Sequence, residues 1–283
     1  MKKIEIAPAK INLWLKVLGK RDDGFHDIES LMVAVSGVND RLTFEVNEGN
    51  GKVDLLCDLP GLSMGEDNLI IRAIELFKNT VGLDIEGSVT LEKFIPIGAG
   101  LGGGSSDAAA TLNAVNALFG KPLSIDQLKE LGAILGSDVP FFIEAIPSLI
   151  TGRGELLSSY TGELTRKPIV LIKPDFEVSS AWAYSRWEKS NMLSNVNYSP
   201  QQAIWGAAIN DLEVPVFEKF LFLPALKNWL LDKDETETVL MSGSGSTMFA
   251  VCSDLAAAEK VLTTVKLDFG DDIWCKIVYI NYI

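Results

Sequence analysis

The amino-acid sequence predicts an α+β protein of two domains, and three observations support this prediction. The chain has 283 residues, about twice the ~150 residues of a typical domain. Hydrophobic residues make up 47% and charged residues 22%, as in ordinary globular proteins. Segments with strand periodicity and segments with helical periodicity follow one another without the strict spacing of βαβ units. We place the domains at 1–152 and 153–283.

Local patterns predict the elements of the first domain. Alternating apolar and polar residues mark strands, and apolar residues three or four positions apart mark helices. These patterns predict strands at 4–18, 41–47, 53–57 and 88–96, and helices at 68–80, 105–119 and 124–135. Asp67 or Asn68 is expected to cap the first helix. The NEGNG segment at 47–51 is expected to form a hairpin turn between the second and third strands.

The second domain shows the same mixture of patterns. They predict strands at 168–173 and 274–280, a strand–loop–strand segment at 239–251, and helices at 178–190, 224–232 and 254–265. Because strands and helices alternate irregularly here as well, the α+β prediction holds for both halves of the chain.

Charge and hydrophobic pattern exclude several classes of protein. With 38 acidic and 25 basic side chains the net charge is −13, which disfavours nucleic acid as a partner. No apolar run approaches the ~20 residues of a membrane span, and the N-terminal segment lacks the apolar core of a secretory signal. Three cysteines, Cys57, Cys252 and Cys275, show no disulfide or zinc spacing. We therefore expect a cytoplasmic protein that binds neither nucleic acid nor membranes.

A glycine-dense segment is the strongest functional signal. Five glycines fall between Gly98 and Gly104, after a predicted strand and before a predicted helix that begins with Ser105 and Ser106. Glycines let a ligand approach the backbone, and a helix start offers unpaired N–H groups and a positive dipole end. Such a unit favours phosphate binding, most naturally of a nucleotide. The alternative is a flexible loop with one of the serines as helix cap.

The same glycines match a dinucleotide-binding pattern, Gly98-x-Gly100-x-x-Gly103. That motif needs an acidic residue about 20 positions further on, at the end of a strand. Asp126 stands near that position, but in the first turn of a predicted helix. A dinucleotide-dependent oxidoreductase is therefore disfavoured.

Three further features combine useful chemistry with an ordinary explanation. Lys10 and Asn12 lie two apart on a strand and so share a face, which is either functional or a charged face of an exposed edge strand. His26, the chain's only histidine, falls in a predicted loop, where a surface histidine is the default. The SGSGST segment at 242–247 is either functional or a glycine/serine connection between strands.

Asp138 is another such candidate. It follows the helix stop at Gly136 and precedes Val139 and Pro140. Because a proline drives the preceding residue towards extended backbone, we expect Asp138 on a stiffened turn. Asp in such a place is commonly a turn or cap residue, and that alternative stays open here.

Three of these segments together resemble the GHMP kinase superfamily: PAKINL at 8–13, PIGAGLGGGSSDAA at 96–109 and SGSGST at 242–247. Gly103 and Gly104 lengthen the second motif as in one branch, the 4-diphosphocytidyl-2-C-methyl-D-erythritol kinases. Three further segments resemble the same branch: GKRDDGFHDIES at 19–30, EDNLIIRA at 66–73 and LGSDVPFF at 135–142. The likeness extends more thinly into the second half through TGRGE at 151–155, KPDFEVS at 173–179 and NDLE at 210–213.

The resemblance implies a reaction in which ATP phosphorylates the 2-hydroxyl of a cytidine-diphosphate-linked methylerythritol in the non-mevalonate route to isoprenoid precursors. It implies that Asp138 is the general base and that Lys10 assists it. The family's nucleotide loop corresponds to Pro96, Ile97, Gly98, Ala99, Gly100, Leu101, Gly102, Gly103, Gly104, Ser105 and Ser106. Mg²⁺ would accompany ATP, with protein ligands that the sequence does not identify.

Asn12, Phe25 and His26 stand where the family binds the acceptor, and Tyr184 is implied as a second aromatic face. The family often has Tyr in place of Phe25, so a hydrogen bond from that hydroxyl is lost here. The implied fold is an N-terminal domain resembling ribosomal protein S5 domain 2 and a ferredoxin-like C-terminal domain, with both substrates in a cleft between them. We expect a monomer or weak homodimer.

Two alternatives remain. A kinase of the same superfamily acting on homoserine or a mevalonate-type alcohol is disfavoured by DGFH at 23–26 and by the lengthened glycine loop. A nucleotide-binding regulator without catalysis is disfavoured because Lys10 and Asp138 are both present. An assay of ATP consumption against several acceptors would separate these alternatives.

Overall fold

A computed structural model describes residues 1–281. The first half of the chain forms four strands and four helices: β1 (Lys2–Lys20), β2 (His26–Glu48), β3 (Val53–Leu56), α1 (Leu69–Val81), β4 (Ile85–Glu92), α2 (Gly103–Leu118), α3 (Ile125–Leu135) and α4 (Val139–Glu144). The second half contains β5 (Ser148–Thr151), β6 (Leu156–Ser159), β7 (Ile169–Lys173), α5 (Ser180–Arg186), β8 (Gln201–Ala203), β9 (Gly206–Ala208), α6 (Glu213–Lys219), α7 (Phe222–Leu231), β10 (Thr236–Met241), β11 (Met248–Cys252), α8 (Leu255–Phe269) and β12 (Trp274–Ile280).

The described residues form two compact units that interleave along the chain. Unit 1 contains Met1–Ala9, Val38–Pro96 and Gly102–Ile146. Unit 2 contains Lys10–Gly37, Ile97–Leu101 and Pro147–Ile283, of which residues up to 281 are described. The predicted domains, 1–152 and 153–283, are instead consecutive in sequence, and that division stays a prediction.

Unit 1 is a small sheet with four helices. β4 pairs antiparallel with β2 and parallel with β3, so β4 lies between them. The predicted hairpin at 47–51 is therefore wrong: the turn joins two strands that are not neighbours, because a strand more than 30 positions later pairs with both. The helices pack on one another through fully buried side chains such as Phe77 and Phe141.

Helix signals in unit 1 are confirmed at the level of single hydrogen bonds. The side chain of Asn68 accepts from the backbone N–H of Ile70 and caps α1. Ser124 and Gln127 form a reciprocal capping box at the start of α3. Capping of this kind fixes where a helix begins, so the observed starts of α1 and α3, Leu69 and Ile125, lie one residue after the predicted starts.

Unit 2 is built on an antiparallel sheet with the order β10-β11-β7-β12-β2. Every residue of β11 is buried, and α7 and α8 pack against these strands. The strand–loop–strand segment predicted at 239–251 is confirmed: Met241 pairs with Met248, and 242–247 connects the two strands. Among residues 1–281, no helix combines the length and apolar character needed to cross a bilayer.

Candidate active site

Lys10 and Asn12 share one buried face of β1, as their spacing predicts. Lys10 is only 4% and Asn12 only 2% exposed, so the edge-strand alternative is wrong. The Lys10 ammonium donates to Asn12 Oδ1 at 2.7 Å, and Asn12 Nδ2 donates to Ser30 Oγ at 2.8 Å. Ser30 in turn donates to the Trp14 carbonyl oxygen. This chain of hydrogen bonds fixes the carboxamide that orients Lys10.

The first half of the glycine-rich segment, Ile97–Leu101, packs in unit 2 against the connection at 242–247. The Thr247 N–H donates to the Ala99 carbonyl, and Ser242 Oγ donates to the Gly100 carbonyl at 3.0 Å. Gly100 has φ +74°, and a Cβ on it would lie 2.2 Å from the Ser242 carbonyl oxygen. Only glycine fits this contact, so the backbones of the two glycine-rich segments meet directly.

The segment 242–247 also reaches Lys10. A Cβ on Gly243 would lie 3.2 Å from both Lys10 Nζ and Asn12 Oδ1. The backbone N–H of Lys10 donates to the Leu101 carbonyl at 3.0 Å. Unit 2 thus brings together three of the sequence-predicted parts: the β1 pair, the start of the nucleotide loop and the third motif. The connection at 242–247 joins strands and also contacts functional candidates.

The second half of the glycine-rich segment begins α2 in unit 1. Gly102, at φ +72°, is the N-cap residue, and no side chain caps this helix. The alternative in which Ser105 or Ser106 caps the helix is therefore wrong, because the helix begins two residues before them. The N–H groups of Gly103, Gly104 and Ser105 have no acceptor within the helix, which leaves the arrangement that binds anions at helix starts.

Asp138 stands at the N-cap position of α4 in unit 1, with backbone angles φ −84° and ψ −13°. Its carboxylate accepts no capping hydrogen bond from α4, so capping does not explain it. The expected extended backbone at Val139 is wrong: Val139 is the first helical residue, because Pro140 is tolerated at the second helical position. A Cβ on Gly136 would lie 4.0 Å from Ser105 Oγ, so this turn adjoins the start of α2.

A buried cluster of charges supports the start of α2, and the sequence reasoning missed it. Lys93 Nζ donates to an oxygen of Asp40 and, at 2.7 Å, to Asp107 Oδ2. Asp40 Oδ1 also accepts the backbone N–H of Phe94 at 2.6 Å. A Cβ on Gly103 would lie 2.9 Å from Lys93 Nζ. The available signal was Asp107 itself, the one charged residue in the alanine-rich sequence of α2.

Burial dominates the electrostatics of this cluster. Burial raises the pKa of Asp107 to about 7, with Lys93 opposing the shift and Asp40 reinforcing it. The pKa of Lys93 is raised overall, because the two carboxylates outweigh the opposing effect of burial. Asp107 Oδ1 and the neighbouring Ser106 Oγ are buried without a hydrogen-bond partner. Two buried oxygen acceptors near the start of α2, one on Ser106 and one on Asp107, therefore lie unused.

His26 lies at the start of β2 rather than in a loop, and it is only 8% exposed, so the surface-histidine alternative is wrong. Its ring stacks on Tyr184 of α5, with centroids 5.6 Å apart and an interplanar angle of 28°. Trp187 meets the same imidazole edge-on at 6.3 Å. Phe25 is 48% exposed, and the Arg153 guanidinium lies 5.1 Å from its ring centroid. Trp187 and Arg153 were not among the predicted site residues.

Within residues 1–281, no cluster of three or more His, Cys, Asp or Glu side chains could hold a metal ion. The two predicted catalytic residues belong to different units, Lys10 to unit 2 and Asp138 to unit 1. Their pairing remains a prediction. Each unit thus carries part of the candidate residues. Unit 1 contains the start of α2 and the turn with Asp138, and unit 2 contains Lys10 with the connection at 242–247 as well as the aromatic group around His26.

The chain matches two family models and several named relatives. The family model for the GHMP kinases N terminal domain matches residues 68–145, and the model for GHMP kinases C terminal matches residues 200–271. A 4-diphosphocytidyl-2-C-methyl-D-erythritol kinase of Methylacidiphilum infernorum is 40% identical over 87% of this chain and 85% of its own length. One from Thermodesulfovibrio yellowstonii is 37% identical over 95% of both chains.

Solved structures give the same result. A crystal structure of 4-(cytidine 5'-diphospho)-2C-methyl-D-erythritol kinase matches with a TM-score of 0.76 and 30% identity, over 99% of this chain and 100% of its own. Homoserine kinase from Cytophaga hutchinsonii matches with a TM-score of 0.71 and 21% identity, over 98% and 94%, which shows a shared fold. On the strength of both family models and of these relatives, the chain belongs to the GHMP kinases, in the family of the 4-diphosphocytidyl-2-C-methyl-D-erythritol kinases.

Proposed function

We propose that this protein transfers the γ-phosphoryl group of ATP to the 2-hydroxyl of 4-diphosphocytidyl-2-C-methyl-D-erythritol, a step in the biosynthesis of isoprenoid precursors. Family membership supports the reaction. The observation that carries the assignment to residues is the buried Lys10, which contacts Asn12 and adjoins Gly243 beside the first half of the glycine-rich segment. A buried ammonium at a phosphate-binding loop is suited to stabilising charge during phosphoryl transfer.

Asp138 is the proposed general base. The acceptor hydroxyl loses its proton to the Asp138 carboxylate while its oxygen bonds to the γ-phosphorus. The bond from that phosphorus to the bridging oxygen breaks, and ADP leaves with the electron pair. Lys10 assists Asp138 and offsets negative charge on the transferred group. Such a base contributes roughly 10²–10⁴-fold to the rate, and positioning and electrostatics supply most of the rest.

The start of α2 is the proposed phosphate site, together with the glycine-rich segment from Pro96 to Ser106. Backbone N–H groups and the helix dipole bind phosphate without net positive charge, which suits a protein of net charge −13. Mg²⁺ binds few protein ligands when it accompanies a nucleotide. The buried, unpartnered hydroxyl of Ser106 is an oxygen donor that fits it. When bound, Mg²⁺ neutralises charge on the phosphates.

The aromatic group of unit 2 is the proposed acceptor site. Asn12 binds the acceptor, and Phe25, His26 and Tyr184 recognise the cytosine by stacking and by its polar edge. His26 is held by its ring contact with Tyr184, so its imidazole has a fixed orientation. The protein is further proposed to work in the cytoplasm as a monomer or weak homodimer.

Replacing Asp138 by Asn tests the proposed base. Asp138→Asn is expected to lower kcat by at least about 10²-fold, while ATP still binds, because the amide cannot accept the proton. Steady-state release of ADP gives kcat, and calorimetric titration with ATP checks binding. The matched control is Asp126→Asn, an exposed aspartate in the first turn of α3, which should leave both unchanged. Near-native turnover of Asp138→Asn would show that another group is the base.

A panel of acceptors tests the substrate. Wild-type protein is supplied with ATP and, separately, with the cytidyl methylerythritol, mevalonate, phosphomevalonate or homoserine. We expect turnover with the cytidyl compound alone. Turnover only with a non-cytidyl alcohol would overturn the proposed substrate, and no turnover with any of them would favour a binding protein without catalysis.

A further inference from the structure

A short segment of unit 2, residues 209–211, is hydrogen-bonded to the strand that carries Lys10. The Leu15 N–H donates to the Ile209 carbonyl at 2.8 Å, and the Asp211 N–H donates to the Leu15 carbonyl at 3.0 Å. The Val17 N–H donates to Asp211 Oδ2 at 2.8 Å. These three hydrogen bonds fix the segment along β1.

The side chain at the centre of this segment reaches the third glycine-rich connection. Asn210 is 2% exposed, and its Nδ2 donates to the carbonyl oxygens of both Met241 and Gly243 at 2.7 Å. Its Oδ1 accepts the Leu212 N–H at 2.9 Å. One buried carboxamide therefore joins the connection at 242–247 to β1, with its donors and its acceptor all used.

Gly243, one of the two residues whose carbonyls Asn210 binds, also adjoins Lys10. Gly243 has φ +55°, and a Cβ there would stand 3.2 Å from Lys10 Nζ and from Asn12 Oδ1. The backbone of Gly243 thus lies against both side chains while its carbonyl oxygen is bound to Asn210. A movement of this carbonyl would change the space available to the Lys10 ammonium.

We propose that Asn210 is a positioning residue for phosphoryl transfer: by holding the Met241 and Gly243 carbonyls it keeps Gly243 against Lys10 and sets the position of the ammonium. The inference rests on the catalytic role of Lys10 proposed above. Displacement of a catalytic group by about 1 Å costs up to roughly 10²-fold in rate, so a side chain that touches neither substrate can control kcat.

A neighbouring buried pair supplies the control. Glu213 Oε1 accepts the Met241 N–H at 3.0 Å, and Glu213 Oε2 accepts from Lys227 Nζ at 2.5 Å. This pair anchors the end of β10, and among the described residues neither member is hydrogen-bonded to Gly243. The double variant Glu213→Gln/Lys227→Met keeps an oxygen for the Met241 N–H and removes both buried charges. It should leave kcat unchanged.

The test is a double-mutant cycle on kcat. Asn210→Ala is expected to lower kcat roughly 10- to 100-fold in the wild-type background and less than about twofold in a Lys10→Ala background, because coupled residues are not additive. Asn210→Asp, which keeps the acceptor for Leu212 N–H and loses the amide donor, is measured in parallel. Thermal unfolding of each variant sets an assay temperature at which it is folded.

The outcomes separate the inference from the proposed function. An equal loss of kcat in both backgrounds, or no loss in the wild-type background for either Asn210 variant, overturns the positioning role and leaves Lys10 as proposed. A Lys10→Ala variant with near-native kcat overturns the proposed role of Lys10, and the inference with it. A loss confined to the background that contains Lys10 supports both.

Discussion

Lys93 in unit 1 and Lys227 in unit 2 are both buried against carboxylates, and the surroundings of these two lysines differ in charge. In unit 2, Lys227 faces one carboxylate, Glu213, and both residues are 2% exposed. The second oxygen of Glu213 accepts a backbone N–H, so the pair is balanced and satisfied. In unit 1, Lys93 faces two carboxylates, Asp40 and Asp107, and one oxygen of Asp107 has no partner.

The protein buries an unbalanced set of charged groups in unit 1 and a balanced pair in unit 2. The unit 2 pair is neutral when both groups are ionised, as expected for a structural contact. The unit 1 cluster carries one excess negative charge when both carboxylates are ionised, and it becomes neutral when Asp107 binds a proton. Because burial raises the pKa of Asp107 to about 7, this change falls near neutral pH. The unbalanced cluster adjoins the start of α2, the proposed phosphate site, because a Cβ on Gly103 would lie 2.9 Å from Lys93 Nζ.

The largest effect is expected from removing the lysine of the unbalanced cluster. Lys93→Met leaves two buried carboxylates without their cation and should lower the free energy of unfolding by about 3–5 kcal/mol at pH 8. The loss should be smaller at pH 5, where Asp107 can be protonated. Urea unfolding followed by circular dichroism measures both.

The control for this variant is a lysine on the surface. Lys260 pairs with Glu235, and its side chain is 70% exposed, so Lys260→Met should leave the unfolding midpoint unchanged. If Lys93→Met unfolds at the wild-type urea concentration at pH 8, the cluster does not stabilise unit 1. An equal loss at pH 5 and pH 8 would show that Asp107 does not titrate between them.

The contrast between the two clusters also shows what local sequence can predict. The start of α1 at Asn68 follows from a side chain that bonds two residues away. Lys10 and Asn12 share a face because a strand repeats every two residues. Lys93 meets Asp40 from 53 positions away, and no local pattern encodes that pairing. The wrong hairpin at 47–51 has the same cause, because β4 arrives from later in the chain.

For the candidate site, the sequence motifs at 96–109 and 242–247 identify residues that amino-acid composition alone does not identify. Gly100 and Ser242 belong to different motifs, and their backbones meet at a contact that only glycine fits at position 100. Asn210 and Arg153 lie in short stretches, NDLE and TGRGE, whose local pattern suggests no role. Their contacts with Gly243 and Phe25 depend on the folded chain.

A second, smaller effect is expected in the pH dependence of stability. The pKa of Asp107 is raised from 3.8 to about 7 in the folded protein, so between these values the folded state binds more protons than the unfolded state. This contribution to stability is complete below about pH 4 and is lost as the pH rises to about 7. An asparagine stays uncharged at every pH, so Asp107→Asn does not lose this contribution as the pH rises. The stability of the variant relative to wild type should therefore increase between pH 5 and pH 8.

Urea midpoints of wild type and Asp107→Asn at pH 5, 6, 7 and 8 measure this gain. Asp126→Asn, the exposed control, should run parallel to wild type over the whole range. Parallel curves for Asp107→Asn as well would mean that the carboxyl of Asp107 has the same protonation in both states, and the contrast between the two clusters would then rest on geometry alone.

The smallest change in unfolding free energy is expected when both charges of the balanced pair are removed together. Lys227→Met alone leaves the Glu213 carboxylate buried without its cation and should lower the free energy of unfolding by about 3 kcal/mol. Glu213→Gln/Lys227→Met removes both charges and keeps an oxygen for the Met241 N–H, so its unfolding free energy should fall within about 1 kcal/mol of wild type. The corresponding double variant in unit 1, Lys93→Met/Asp107→Asn, still leaves the buried carboxyl of Asp40 without its cation. It should therefore recover less than the unit 2 double variant does, because removing two charged groups empties the pair but leaves one buried carboxyl of the triad without its cation.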